Sequence, residues 1–164
     1  MWRQDPQPAQ DDITARYDER YLEYETEHHL EYRSIALKSL AEAGLYTDHF
    51  PVLSDDSGPA AILEIGCATG ALLSVFKDAG WRTKGVEVGA SLAAYGRSQF
   101  GLDIFEGTME MADLADASFD IVMALHLIEH LNEPRSFLRE AFRVLKPDGD
   151  LLLITPNVRS FQAL

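Results

Sequence analysis

Ala61-Ile62-Leu63-Glu64-Ile65-Gly66-Cys67-Ala68-Thr69-Gly70-Ala71-Leu72-Leu73 is the stretch on which the reading of this chain turns. It begins as a short apolar run interrupted only by Glu64, which suits a buried strand. Two glycines follow, and the pattern re-emerges at helical spacing with Leu72, Leu73 and Phe76 apolar. Strand, glycine turn, helix is how a doubly wound sheet builds a nucleotide site. Glycine tolerates positive φ and lets the backbone approach a ligand. The amides that open the next helix are placed to bond a polar or negative group.

The turn reads Gly66-x-x-x-Gly70, not G-x-G-x-x-G. Ala68 stands where a dinucleotide fingerprint has the second glycine, the one that admits a pyrophosphate. Glu64 adds negative charge at the end of the strand, where a phosphate is unwelcome and a cationic ligand fits better. Glu64-Ile-Gly-Cys-Ala-Thr-Gly70 resembles the first motif of class I S-adenosylmethionine-dependent methyltransferases. The resemblance implies that Gly66, Cys67, Ala68 and Gly70 hold the methionine part of the cofactor and that Glu64 helps bind its amino group. Read alone, the stretch also suits a glycine turn that binds nothing.

A chain of 164 residues suffices for one domain with a real core. No apolar run approaches the ~20 residues of a membrane span, and Met1 to Asp12 is polar and proline-bearing, unlike a signal peptide. Cys67 is the only cysteine, so no internal disulfide is possible. A cytoplasmic protein is expected. The formal net charge of −13 repels phosphate backbones, so nucleic acid is not an expected partner. The same charge suits a cationic cofactor, although solubility alone accounts for it.

Residues 1–12 read as a disordered lead. Ile13 to Ala43 is helical in pattern, without glycine or proline, and Gly44 stops it. Two helices are expected there, breaking near His28-His29. Leu45 to Pro59 carries a linker signature, so residues 13–59 form a helical cap and linker before a cofactor-binding domain at 60–164. The tyrosines of the cap either pack on the domain or, as the resemblance implies, form a lid over the cofactor, with Tyr17 and Tyr24 as candidates.

Beyond the first strand, at about 60–65, a helix runs to about Ala79 and Gly80 caps it. Trp81–Val88 reads as the second strand. Glu87 lies twenty-one residues after Gly66, the place of the acidic residue that accepts hydrogen bonds from ribose hydroxyls. Its neighbour Val88, and Leu125 at the end of a later strand, belong with the expected cofactor contacts. A helix (Ser91–Phe100) and a short third strand (Leu102–Phe105) follow. The loop Glu106-Gly-Thr-Met-Glu110 matches the adenine-contacting loop of the resembling family. Thr108 stands in its acidic position and Met109 next to it, a departure that leaves a weaker acceptor.

Ser118–Leu125 reads as the fourth strand, a helix runs to about Leu145, and Lys146-Pro-Asp-Gly149 turns into a fifth strand, Asp150–Thr155. The run Ile128-Glu-His-Leu, Pro134, Arg143-Val-Leu-Lys-Pro147, Gly149, Thr155-Pro-Asn157 is similar to the second half of the same family. The resemblance covers about Ile62 to Asn157. The fold expected is α/β, a doubly wound Rossmann-like sheet of order 3-2-1-4-5 with an N-terminal helical cap.

His126-x-x-Glu129-His130 also matches H-x-x-E-H, a metalloprotease zinc signature. It directly follows a strand in a βαβ series and Pro134 comes soon after, so the context opposes a protease. Some quinone-directed relatives bind a divalent ion near this segment. The bland reading packs His130 under the sheet with Glu129 capping a loop, and no metal site is assigned. His126, just past the fourth strand, faces the crevice where open α/β sheets bind ligands. It either accepts a proton from the substrate or is a satisfied loop histidine.

The expected function is transfer of a methyl group from S-adenosylmethionine to a small-molecule acceptor, leaving S-adenosylhomocysteine. The alternatives are a cofactor-binding module without catalysis and a nicotinamide-dependent oxidoreductase, whose glycine fingerprint is absent. The family normally continues past its fifth strand with a closing hairpin. This sequence ends nine residues after Thr155, so the expectation is a truncated product. Its Leu151–Ile154 edge would then be available for pairing with a partner copy.

Overall fold

The computed structural model describes residues 19–42 and 59–156. Five strands form one sheet of order β3-β2-β1-β4-β5, all neighbours parallel. The strands are β1 (Ala61–Ile65), β2 (Arg82–Glu87), β3 (Ile104–Glu106), β4 (Phe119–Leu125) and β5 (Leu145–Ile154). Helix α1 (Glu19–Glu42) precedes the sheet, and α2 (Ala71–Asp78), α3 (Ala90–Phe100) and α4 (Pro134–Val144) lie between its strands.

β1 is central and every residue in it is buried, as a strand paired on both sides requires. Its side chains alternate between two cores. Ile62, with Ile121 and Met123 of β4, joins Leu73, Phe76, Trp81 and Ala93 on one face. Leu63 and Ile65, with Val122 and Ala124, join Phe137, Ala141 and Val144 of α4 on the other. The α4 residues fall at i, i+4 and i+7, one helical stripe. At the end of α2, Gly80 (φ +90) turns the chain, with Gly80 N donating to Lys77 O (2.9 Å) and Trp81 N to Phe76 O (3.0 Å). These are the two bonds of a Schellman cap.

Three expectations need correction or qualification. α1 is a single helix through His28 and His29. Nothing there breaks it, because the ring nitrogens bond carbonyls of the same helix, His28 Nδ1 with Tyr24 O (2.8 Å) and His29 Nδ1 with Thr26 O (2.6 Å). β5 begins at Leu145, which pairs with Phe119, before Asp150 pairs with Ile121. The Lys146–Gly149 turn is an excursion inside the strand, tied by Lys146 Nζ to both oxygens of Asp120 at 2.9 Å. Tyr17, the lead at 1–12, most of the linker and Asn157 lie outside the described residues. Among the described residues no helix is long and apolar enough to cross a membrane.

Candidate functional site

A cavity of about 670 Å³ opens at the carboxyl ends of β1, β2 and β4 beneath α1. That is the crevice where open α/β sheets place ligands, and the volume suits a small molecule. Glu64, Gly66, Cys67, Ala68, Glu87, Val88, Thr108, Met109, Leu125, His126 and Tyr24 all line it. Thus residues chosen from five separate sequence segments meet at one place.

The glycine turn forms the floor. Gly66 (φ +71) and Gly70 (φ +73) take left-handed conformations, and so does Ala68 (φ +47) between them. Gly66 N and Cys67 N both donate to Val86 O, at 2.8 and 3.2 Å. The carboxylate of Glu87 completes this knot: Oε2 accepts from Ala68 N (2.9 Å) and Oε1 from Gly89 N (2.7 Å). Burial raises the Glu87 pKa above the usual carboxylate value, and these amide bonds pull it back. One carboxylate therefore fixes the turn and also lines the cavity.

Glu64 is different. It is 4% exposed, and its Oε2 has no hydrogen-bond partner. Burial, and after it the charge of Glu87, pushes its pKa up to about 8. A buried, orphaned carboxyl oxygen on a cavity wall is costly unless a donor or cation reaches it.

Gly70, expected beside these residues, is not among those that line the cavity. It is the residue preceding α2, and a Cβ there would come within 2.4 Å of Leu102 Cδ1. Its glycine identity serves packing. Met109 is buried in the core with one side on the cavity. The His126–His130 segment holds one short 3-10 turn, Ile128–His130, not a helix. His130 is exposed, not packed under the sheet, because that turn leaves the core after β4. His126 (φ +51) is also exposed, with Nδ1 3.8 Å from Glu129 Oε1. Among the described residues no three His, Cys, Asp or Glu side chains converge as a metal set.

Sequence reading missed the contribution of α1 beyond Tyr24. Tyr21, Glu25, His29 and Tyr32 also line the cavity. Their signal was the helical spacing 21-25-29-32, continuing to the buried Ala36 and Leu40.

A family model described as a methyltransferase domain matches residues 63–153, more than half of the chain. The chain belongs to the class I S-adenosylmethionine-dependent methyltransferase family. A protein of Mycolicibacterium smegmatis described as a probable S-adenosylmethionine-dependent methyltransferase is 36% identical over 101 residues, covering 61% of this chain and 39% of that protein. The ubiquinone biosynthesis O-methyltransferase of Pseudomonas aeruginosa is 32% identical over 102 residues, covering 58% and 44%. A Thermotoga maritima crystal structure, described as an S-adenosylmethionine-dependent methyltransferase and possible histamine N-methyltransferase, superposes with a TM-score of 0.66. It shares 26% identity, and the match covers 90% of this chain and 64% of that one. This methyltransferase domain thus spans about two fifths of the length of the curated relatives it matches.

Membership implies S-adenosylmethionine as cofactor, and the cavity fits it. The orphaned Glu64 oxygen calls for a donor, and Glu87 keeps free lone pairs. A Cβ on Gly66 would reach Leu127 Cδ1 at 3.4 Å across the cavity wall.

Proposed function

We propose that this domain binds S-adenosylmethionine in the cavity and transfers its methyl group to a small-molecule acceptor. The observation that carries the reading is the pair of buried carboxyls, Glu64 with an orphaned oxygen and Glu87 knit to the glycine turn. The bound cofactor supplies a methyl carbon on a sulfonium, which is already a good leaving group. The protein's task is then to hold acceptor and methyl close and aligned.

In this reading Glu64 and the backbone of Gly66, Cys67 and Ala68 hold the amino-acid end. Glu87 and Val88 take the ribose, Thr108 and Met109 flank the adenine, and Tyr24 closes the site from above. Leu125 and His126 stand at the open side towards the acceptor. His126 turns Nδ1 towards Glu129, which leaves Nε2 to accept the acceptor's proton. A net charge of −13 argues for a small acceptor over nucleic acid. Calorimetry with S-adenosylmethionine and S-adenosylhomocysteine tests the first half. Saturable binding of both is expected, and no binding of either overturns the reading. Methyl transfer to a panel of phenols, catechols and amines tests the second. Binding without turnover on any acceptor would leave a cofactor-binding module.

A further inference from the structure

Helix α1 carries a carboxylate that neither the sequence motifs nor the family comparison assigns to the site. Glu25 is partly buried, whereas Glu23, Tyr24 and Glu27 beside it are exposed. It sits on the inward stripe of the helix. Towards the C-terminus that stripe is apolar, with Ala36 and Leu40 sunk in the core. Ala36 also lines the cavity, but the earlier turns of the helix meet it with polar groups, Tyr21, Glu25 and His29. A helix that served only to cover the sheet would place apolar groups there. An acid at that position faces something polar.

Glu25 shares the cavity with Glu87, and its charge is among the causes that raise the Glu87 pKa. Burial raises the Glu25 pKa, and a hydrogen bond from Tyr21 and the charges of His28 and His29 lower it. Other titratable groups on the cavity wall include Glu64, Glu110 and Glu133, all carboxylic, Cys67, whose thiol burial holds protonated, and His126 and His130. Arg33 lines the cavity as well but does not figure among the groups acting on Glu25. Glu25, Glu64 and Glu87 thus share one space, with Glu110 and Glu133 also on its wall, and Glu64 has an oxygen with no partner. Carboxyls so placed hold one another's protons on, as Glu87 does for Glu64, unless a cation lies near them. Among the described residues they do not converge tightly enough to hold a metal ion. An extended organic cation meets the arrangement better.

We propose that Glu25 is a further cofactor-binding residue, which recognises the positive charge of S-adenosylmethionine from the lid side of the cavity. The proposal rests on the reading of the cavity given above.

The test compares wild type, Glu25→Gln and Glu27→Gln, with S-adenosylmethionine and 5′-methylthioadenosine as ligands. The second ligand shares the nucleoside but carries no positive charge, and is measured by competition with S-adenosylhomocysteine. Gln keeps the helix and the side-chain shape. In Glu25→Gln, affinity for S-adenosylmethionine is expected to fall about ten-fold, the scale of one charge-assisted hydrogen bond. Affinity for methylthioadenosine should stay within two-fold, and Glu27→Gln should match wild type for both. Equal losses for both ligands would mean a purely structural role and overturn the proposal, as would no loss for either. Failure of the wild type to bind any of the three ligands overturns the cavity reading itself.

Discussion

The floor and the roof of the cavity are built by different means. The floor, from Glu64 to Gly89, is knit by backbone bonds: two amides converge on Val86 O and two on the Glu87 carboxylate. The roof, α1, has mostly internal bonds, such as Tyr24 Oη with Tyr32 Oη at 2.8 Å and the two histidine rings on their own carbonyls. Its buried residues are Ala36 and Leu40, both in its C-terminal half, and Ala36 also lines the cavity. The floor is therefore pre-organised before any ligand arrives. The roof is held at one end, and such weakly anchored elements are the first to open. Specific geometry belongs to the floor, and adjustable cover to the roof.

The hardest blow to the floor is Gly66→Val. A β-branched residue at φ +71 is strained, and its methyls point across the wall towards Leu127. Binding of S-adenosylhomocysteine should drop by about a hundred-fold or more, while cooperative unfolding persists. A variant that binds normally would place the ligand elsewhere.

Next in size is the pH dependence of stability. Below pH 4.5 both folded and unfolded chains keep the Glu64 proton, and between 4.5 and about 8 only the folded chain does. Stability from this group is complete below that window and is lost as the pH rises through it, by on the order of 4 kcal/mol. Urea midpoints of the ligand-free protein should fall from pH 5 to 8, less steeply in Glu64→Gln. Glu25 and Glu87 are shifted the same way and leave a residual slope. An identical slope in both proteins would refute the assignment.

Glu87→Ala unties the knot, leaving Ala68 N and Gly89 N without their partner. Loss of the charge-assisted bonds, roughly 1.5–3 kcal/mol, should weaken S-adenosylhomocysteine by ten-fold or more and lower the unfolding midpoint as well. An effect on binding with no effect on stability would show that the knot adds little to the fold.

The smallest effect sharpens the comparison. Ala68 sits at φ +47, a conformation that disfavours any Cβ by ~1 kcal/mol. Ala68→Gly relieves that strain but frees the unfolded chain. The net change in stability should stay within about 0.5 kcal/mol, with binding kept. A large loss of binding would mean that the Ala68 methyl itself touches the ligand.

The strand-helix alternation, the turn and the place of Glu87 were legible because each is written in local pattern, while the order of the sheet came with the resemblance. An apolar run reads as a buried strand, two glycines as a turn, and an acid at fixed spacing as the end of the next strand. Thr108 and Met109 were found only through resemblance, since their loop has no period of its own. At Gly70 a side chain would meet Leu102, which local pattern does not record, and the His28-His29 pair, read locally as a break, does not break a helix whose carbonyls it can bond.

By itself, then, the sequence determined the βαβ series, the glycine turn and an acid at the end of the second strand, whereas the bonds by which that acid ties the turn came from the fold. The first three depend on backbone preferences acting over a few residues. Only the tertiary structure decided that residue 25 stands over residues 64 and 87, that Asp120 holds both Ala61 N (2.8 Å) and Lys146, and that Gly70 faces the core. The physical reason is that such meetings are fixed by how helix and sheet pack. Side chains far apart in the chain share a cavity because Ala36 and Leu40 are buried where they are, and no local period records that.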